Sequence, residues 1–229
     1  MKKYLRYIID TIRCRFSRNF CLRNARINWL TFSIGRGNNL IVIENSNVGH
    51  WGIQVEGKNN VVTVKNGAKV MYGGIRINGD NNHVVFDRCT GIVSLTIRGN
   101  NCDIRIGKDT SMESLYLICM EDNNAIRIGE DCMFSGDVEI WNSDTHLITD
   151  LEGRPLNHIL APITIGNHVW LGKHAKILKG VSIGDNSIIG MSSVVTKDVP
   201  NNSIAAGNPA RVVKEGVNWK KGFLTEWLG

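Results

Sequence analysis

The fold is decided by residues 163–198, which divide into six consecutive six-residue units: ITIGNH, VWLGKH, AKILKG, VSIGDN, SIIGMS and SVVTKD. The third residue of every unit is a large aliphatic, from Ile165 to Val195, and the first is small or β-branched. A period of six matches neither an α-helix nor a single strand, but it suits a short β-strand followed by a tight bend. Three such units make a triangular coil of about eighteen residues, and stacked coils bury a column of aliphatic side chains.

A coarser repeat precedes this stretch. Turns rich in glycine and asparagine come before alternating strands in GRGNNLIVI, EGKNNVVTV, NGDNNHVVF, RGNNCDIRI and MEDNNAIRI. The second asparagine of each pair, or its counterpart, falls at positions 39, 60, 82, 101 and 124. We expect asparagine to occupy left-handed corners here, and glycine to do so in the later units. The sequence therefore predicts one rod of about eight or nine coils over residues 31–200.

Composition excludes several classes of protein. The chain has 229 residues, of which 42% are hydrophobic and 21% charged, so it can bury a full core and is not disordered. It contains no apolar run long enough to cross a membrane. The six cysteines form no CxxC pair, which is typical of reduced thiols and predicts a cytoplasmic protein.

The charge is concentrated at the N-terminus. Residues 1–30 hold eight Lys or Arg and one acid, Asp10, which gives a net charge of +7 against −1 for the remainder. Apolar residues recur at helical spacing, so we predict a basic amphipathic helix over 1–30, made by Leu5, Ile8, Ile9, Ile12, Phe16 and Phe20. This helix has three open interpretations: a cap or subunit contact, which we favour, a membrane-surface helix at the inner face of the membrane, or a nucleic-acid site. The last is the weakest, because the body lacks a basic stripe, and we expect no nucleic-acid partner.

Two further segments complete the organisation. The polar stretch 142–162 interrupts the six-residue units, and we expect function to concentrate in this loop. After residue 200 the rod ends, and residues 201–229 form a last turn and a tail that includes Trp219.

Four motifs together carry a family resemblance: the Ser-Asp-Thr-His loop at 143–146, PITIGNHVWLG at 162–172, ILKGVSIGDNSIIGMSSVVTKDVP at 177–200 and AAGNPARVV at 205–213. The chain resembles the bacterial hexapeptide-repeat acyltransferases. Among these it looks most like the O-acetyltransferases that modify capsule, O-antigen and related polysaccharides. The resemblance implies an all-β, left-handed parallel β-helix, a homotrimer, and acetyl-CoA bound in the cleft between neighbouring subunits.

The resemblance also assigns catalytic roles. His146 matches the catalytic histidine of the family, and a neutral imidazole suits a general base that takes a proton from a sugar hydroxyl. Trp170 matches the family's tryptophan and is expected to contact the thioester arm and donate its indole N–H to the acetyl carbonyl, unless it only packs between subunits. Asp144 would orient the imidazole or bind the acceptor; a plain turn role is equally open.

Binding roles are distributed along the loop and the late coils. Asn142 and Asn157 are candidates for acceptor binding, with Asp144, although Asn157 is at least as well explained as a loop-stabilising residue. CoA is anionic and its pantetheine arm needs close backbone approach, so it is expected to contact basic, small and hydroxyl residues. The candidates are Trp170, Gly172, Lys179, Gly190, Ser192, Ser193, Thr196, Lys197, Asn208, Pro209, Arg211 and Lys214. His168 and His174 lie six residues apart and show no triad spacing, so no metal is expected.

The resemblance therefore implies an acetyl-CoA-dependent O-acetyltransferase that acts on a sugar hydroxyl of a cell-surface polysaccharide or its precursor. Direct transfer is expected, because no cysteine or serine lies in a recognisable nucleophile motif. Two alternatives stay open: an N-acetyltransferase acting on an amino sugar or nucleotide sugar, and a non-catalytic glycan-binding β-helix.

Overall fold

The computed structural model describes residues 2–157 and 160–222, and it confirms the predicted parallel β-helix. The rod has three faces. The first face is an eight-stranded parallel sheet. Its strands are β1 (Phe20–Arg23), β3 (Leu40–Glu44), β5 (Val61–Lys65), β7 (His83–Asp87), β9 (Asp103–Ile106), β11 (Ala125–Ile128), β14 (Ile163–Ile165) and β17 (Ser182–Ile183).

Long strands cover the second and third faces together in the early coils. They are β2 (Arg26–Ile34), β4 (Asn47–Glu56), β6 (Lys69–Asn78), β8 (Thr90–Arg98) and β10 (Ser111–Met120). Beyond β10 the two faces have separate strands. The second face continues through β12 (Met133–Phe134), β15 (Trp170–Leu171), β18 (Ile188–Ile189) and β20 (Ser203–Gly207), and the third through β13 (Val138–Trp141), β16 (Lys176–Leu178) and β19 (Val194–Val195). A last strand, β21 (Ala210–Glu215), pairs antiparallel with β20.

The core follows the six-residue pattern. In residues 163–198 the first and third residues of every unit are no more than 2% exposed, which confirms that both point inward. The second residues, such as Trp170 and Lys176, face outward between them. Equivalent residues lie one above another in parallel register, for example Ile165 beside Ile183. The interior is therefore a continuous column of stacked aliphatic side chains.

The corners differ from the expectation for glycine. The left-handed residue is the sixth of the unit, with φ of 53° at His168 and 59° at His174, whereas the glycine at the fourth position does not adopt positive φ in these units. Gly172 is needed for a different reason: a Cβ there would lie 2.7 Å from the backbone nitrogen of Met191 in the next coil. Close stacking of coils, not corner geometry, selects that glycine.

The asparagine pairs also divide their roles. In four of the five pairs the first member is left-handed and exposed, as at Asn59 with φ of 56°, and the second is buried. In the pair at 100–101 these positions move by one residue, so Asn101 is left-handed and exposed and Cys102 is buried. Asn60 Nδ2 donates to Asn39 Oδ1 at 3.0 Å, and Asn82 Nδ2 donates to Asn60 Oδ1 at 2.9 Å. Asn39, Asn60 and Asn82 therefore form a buried hydrogen-bonded ladder along the rod instead of turning its corners.

The N-terminal helix is shorter than predicted. Helix α1 spans Lys2–Arg13, a 3-10 turn follows at Cys14–Phe16, and Phe20 already begins β1. The helix stops because Ser17 is extended and the segment from Phe20 pairs with β3, with Phe20 beside Ile41. The apolar spacing at residues 16 and 20 is thus shared by two elements, and the rod begins before residue 31.

The C-terminal segment is fixed to the second face. Trp219 is 7% exposed and lies beside His168. Residues 223–229 of the predicted tail lie outside the described residues. Within the described part of the chain, no helix is both long and apolar enough to cross a membrane.

Candidate active site

The loop at 142–162 is anchored at its first residue. Asn142 is fully buried, its Oδ1 accepts a hydrogen bond from the Met120 backbone N–H at 2.9 Å, and its Nδ2 lies 3.1 Å from Cys119 Sγ. These contacts disfavour the prediction that Asn142 binds substrate, because both ends of its side-chain amide contact groups inside the rod. Its role is to hold the start of the loop against the preceding coil.

Asp144 is paired with Lys179 rather than with the imidazole of His146. Its Oδ2 forms a salt bridge with Lys179 Nζ and accepts a hydrogen bond from Asn157 Nδ2 at 3.0 Å. The Lys179 ammonium and then the Asn157 amide hold the pKa of the Asp144 carboxyl below its usual range. Asp144 therefore acts as an ionised anchor of the loop, and Lys179, predicted to bind CoA, is instead engaged by that anchor.

Asn157 closes the loop around His146. Its Nδ2 also donates to the His146 carbonyl oxygen at 2.8 Å, and its Oδ1 accepts from the Ile148 backbone N–H at 3.0 Å. Both ends of the Asn157 amide are thus used within the chain, which favours the loop-stabilising interpretation over substrate binding. The backbone on both sides of His146 is fixed, while its side chain is exposed to solvent.

Ser143 completes the turn that precedes His146. Its hydroxyl oxygen accepts the Thr145 backbone N–H at 2.9 Å, and Thr145 itself has φ of 63°. A β-branched residue in the left-handed region is strained, so the surrounding hydrogen bonds must impose this turn. The strained turn directs the chain immediately before His146.

Trp170 carries an unusual polar group. Its indole Nε1 is buried and has no hydrogen-bond partner among the described residues. Trp219 lies beside it, with ring centroids 6.1 Å apart. A buried donor without a partner is costly, by about 1–3 kcal/mol, so a bound acceptor at this position would be favoured.

His146 and Trp170 lie on different sides of one chain. Trp170 belongs to β15 on the second face, whereas the loop that carries His146 leaves the end of β13 on the third face.

The remaining CoA candidates fall into two groups. Ser193 is fully buried, and its Oγ accepts the Gly207 backbone N–H at 3.0 Å, which disfavours the predicted contact with CoA. Gly172 and Gly190 are explained by coil stacking, since a Cβ on Gly190 would lie 3.0 Å from that of Ala206. The others are exposed and accessible to a ligand: Ser192, Thr196, Lys197, Asn208, Pro209, Arg211 and Lys214.

The sequence interpretation missed a cluster on the third face directly below the loop. Glu139 accepts a hydrogen bond from Trp141 Nε1 at 3.0 Å and forms a salt bridge with Lys176. Tyr116 packs edge-on against Trp141, with ring centroids 6.0 Å apart. The available signal was the register of successive coils, which stacks Tyr116, Glu139 and Lys176 in one outward column, with Trp141 two residues further along β13.

A groove lies on the same face, further toward the N-terminal end. Its cavity volume is about 560 Å³, and its outward-facing lining is small or polar, with Thr31, Ser33, Gly52, Gln54, Gly74, Arg76, Ser94 and Thr96. Gly52 and Gly74 have no side chains to fill the groove. Along one side of it, Arg76 Nε donates a hydrogen bond to Gln54 Oε1 at 3.2 Å. Among the described residues, no three His, Cys, Asp or Glu side chains are placed to hold a metal ion.

The six-residue repeat, the parallel coils and the interrupting loop can be compared with those of known proteins. Residues 162–197 match the family model described as bacterial transferase hexapeptide (six repeats), so this part of the chain is similar to the hexapeptide-repeat transferases.

Two solved structures are similar over nearly the whole chain. The polySia-specific acetyltransferase NeuO is 29% identical with a TM-score of 0.69, covering 90% of this chain and 91% of that one. The polysialic acid O-acetyltransferase OatWY is 29% identical with a TM-score of 0.63, covering 89% and 91%. In sequence, galactoside O-acetyltransferase of Escherichia coli (strain K12) is 54% identical over 71 residues, which are 28% of this chain and 35% of that protein. The chain thus spans about a third of that relative's length.

Proposed function

We propose that this protein is an acetyl-CoA-dependent O-acetyltransferase that acts on a sugar hydroxyl of a cell-surface polysaccharide or of its precursor. The observation that carries the proposal is the presentation of His146. Asn157 donates to its backbone carbonyl and is itself held by Asp144, which pairs with Lys179, while the His146 imidazole stays open to solvent. Fixing the backbone of an exposed titratable side chain suits a general base that must meet a second molecule.

The chemistry is a direct transfer. The His146 imidazole removes the proton of the acceptor hydroxyl as the oxygen attacks the thioester carbonyl. The C–S bond then breaks, the acetyl ester forms, and the thiolate of CoA takes the proton back from the imidazolium. The unpaired N–H of Trp170 is suited to donate to the carbonyl oxygen as negative charge develops there.

The acyl donor would be held by exposed groups near the C-terminal end of the rod. Lys197, Arg211 and Lys214 supply positive charge for its phosphates. Ser192 and Thr196 offer hydroxyls to the amides of the pantetheine arm, and the turn at Asn208 and Pro209 would contact the adenine end. This assignment replaces Lys179 and Ser193, whose side chains are used inside the chain.

We propose that the working form is a homotrimer with its sites between subunits. The loop exposes Leu147, Ile148, Leu151, Leu156 and Leu160, with Leu151 fully exposed at its tip. Such a group of exposed aliphatic residues is expected to be covered by a protein partner. A neighbouring copy would cover it and would bring the second face, with Trp170, toward the His146 loop.

The acceptor would be an extended carbohydrate. Two solved structures that match about 90% of this chain are named for polysialic acid. The polar groove of about 560 Å³ lies on the face that carries Tyr116 and Trp141. Aromatic faces and hydrogen-bonding side chains along one surface suit a chain of sugars. Six free cysteines, five of them buried, suit a reducing compartment, so we place the reaction in the cytoplasm.

The test is thiol release from acetyl-CoA with a panel of surface polysaccharides and nucleotide sugars, beside His146→Ala. We expect release that depends on one class of acceptor and falls to background in the variant. Mild base separates the products, because an ester is hydrolysed and an amide is not. Acceptor-dependent release that survives in His146→Ala would remove His146 as the base. A base-stable product would favour the N-acetyltransferase, and failure to bind CoA would favour a glycan-binding scaffold.

A further inference from the structure

Helix α1 leaves much of its apolar side open to solvent, although Ile8 and Ile12 also border the rod at Asn28 and Trp29. Ile8, Ile9, Ile12 and Phe16 are 50%, 45%, 54% and 86% exposed. At 3.6 residues per turn, these positions fall within an arc of about 100° on one side of the helix and its continuing turn. An apolar stripe normally faces the core of a domain, so this orientation is the reverse of ordinary helix packing.

The opposite side of α1 holds the helix to the rod. Cys14 is fully buried, and Asp10 is 3% exposed. Thr11 Oγ1 accepts a hydrogen bond from the Leu30 backbone N–H at 2.9 Å and lies 3.5 Å from the Leu30 carbonyl oxygen. These contacts cover the edge of β2, in the first coil, where no earlier coil supplies partners. The attachment therefore fixes which side of the helix faces outward.

Positive charge surrounds the exposed stripe. Six basic residues lie within the first eighteen: Lys2, Lys3, Arg6, Arg13, Arg15 and Arg18. The only acid in this stretch, Asp10, is buried and accepts a hydrogen bond from Arg13 at 3.2 Å. By helical position, Arg13 borders one side of the stripe and Arg15 the other. The outward surface is thus apolar in the middle and cationic at its edges.

We propose that α1 docks the rod onto the surface of an anionic lipid bilayer. An apolar stripe bordered by basic side chains suits the boundary between acyl chains and negatively charged headgroups. A second copy of this chain is disfavoured as the occupant, because it would bring the same positive charge against these residues. The helix of twelve residues lies in the plane of the interface.

The placement has a geometric consequence for the enzyme. The helix covers the first coil, whereas the His146 loop leaves the rod at β13, five coils further along. At a strand spacing of about 4.8 Å, the loop lies about 24 Å along the rod from β2. Docking at the end of the rod would leave the His146 loop free for the acceptor.

The experiment measures cosedimentation of the full chain with two kinds of vesicle, phosphatidylcholine alone and phosphatidylcholine with phosphatidylglycerol. We expect binding only to the anionic vesicles, weakened by salt. Ile9→Asp should reduce the partition coefficient at least about tenfold. The matched control is Ile92→Asp, at an isoleucine of similar exposure, 36% against 45%, far from α1. The control should leave binding unchanged.

A second pair of variants tests the charges. Arg15→Glu with Arg18→Glu should also reduce binding at least about tenfold, whereas Lys58→Glu with Lys69→Glu, an equal charge change on the rod, should have a much smaller effect. Circular dichroism and sedimentation velocity verify that each variant is folded and show its oligomeric state. Equal binding to neutral vesicles, or equal effects of Ile9→Asp and Ile92→Asp, would overturn the proposal. Loss of oligomers in Ile9→Asp without vesicle binding by the parent would instead assign the stripe to a second copy.

Discussion

The indole of Trp219 stacks on the imidazole of His168, with ring centroids 4.1 Å apart and ring planes within 9°. Trp219 Nε1 also donates to the His168 carbonyl oxygen at 2.7 Å. His168 is the left-handed sixth residue of its unit, so its ring stands at a corner where the C-terminal segment can cover it. The contact joins residues 51 positions apart and places Trp219 beside Trp170.

The first prediction concerns the stability supplied by this stack. Trp219→Ala should lower the free energy of unfolding by about 3 kcal/mol, because it removes a nearly buried aromatic side chain. Trp219→Phe keeps an aromatic ring and loses one hydrogen bond, so it should cost only about 1 kcal/mol. Urea unfolding followed by far-UV circular dichroism measures both values. Equal losses in the two variants would show that the hydrogen bond, not ring packing, fixes the segment.

The attachment of the C-terminal segment should fail in acid. Lys221, with a smaller contribution from His168, holds the pKa of the Asp131 carboxyl below its usual range, against an opposing effect of partial burial. A carboxyl whose pKa is lowered by folding stabilises the folded state above its unfolded pKa, about 3.9. That contribution is lost as the pH falls through the lower folded value.

Hydrogen exchange of residues 217–222 between pH 6 and acid conditions measures this attachment. We expect protection, corrected for intrinsic exchange rates, to persist to about pH 4 and to fall below it. Asp131→Asn removes the titrating group, so its protection should be lower throughout and should not show the acid step. An acid step of unchanged size in Asp131→Asn would assign the transition to a different carboxyl.

The inward positions of the rod could be predicted from the sequence, but the pairing of its surface side chains could not. The aliphatic residues from Ile165 to Val195 are buried as expected, because the period fixes which residues point inward. Asp144 and Lys179 are 35 residues apart, and the loop between them breaks the count that would place them side by side. Sequence spacing alone gives no signal for that pair.

The residues at which the helix and strands begin and end could not be predicted from the sequence either. The helical spacing of Phe16 and Phe20 continued the pattern of α1, but the edge of β3 offered strand pairing to Phe20. Likewise, both members of each asparagine pair suit a corner, and only packing decides that Asn60 is buried while Asn59 is exposed. In both cases the deciding contact comes from a neighbouring coil about twenty residues away.

Lys179 and Lys197 should behave differently, although both were candidates for CoA. Lys179→Met breaks the salt bridge with Asp144 and loosens the His146 loop, so it should lower kcat at least about tenfold while KM for acetyl-CoA changes little. Lys197→Met should raise KM for acetyl-CoA and leave kcat nearly unchanged. Steady-state kinetics with varied acetyl-CoA separates the two effects.

The coupling between Lys179 and Asp144 provides the matching control. If both act through one contact, the double variant Lys179→Met with Asp144→Asn should be no worse than either single variant. Additive losses would mean that the two residues act separately, and a raised KM in Lys179→Met would return this lysine to CoA binding.

The buried asparagine ladder should be a major source of stability. Asn60→Ala leaves the Gly79 carbonyl and the Asn82 backbone N–H without the side-chain partners they have now. We expect a loss of about 3 kcal/mol in the free energy of unfolding. Asn59→Gly, at the exposed left-handed neighbour, keeps the left-handed backbone and should cost less than about 1 kcal/mol. A small effect of Asn60→Ala would mean that water enters the rod and replaces the lost groups.

The reactivity of the thiols tests how tightly the rod is closed. Of the six free cysteines, Cys21 is half-buried and the other five are buried. Burial raises the pKa of Cys89 to about 12 and that of Cys132 to about 11, so their reactive thiolates are scarce at neutral pH. A colorimetric disulfide reagent should therefore modify one thiol rapidly in the native protein and all six after denaturation. Cys21→Ser should abolish the rapid phase. Rapid reaction of the remaining thiols in that variant would show that the coils open under native conditions, because the reagent cannot reach buried thiols in the closed rod.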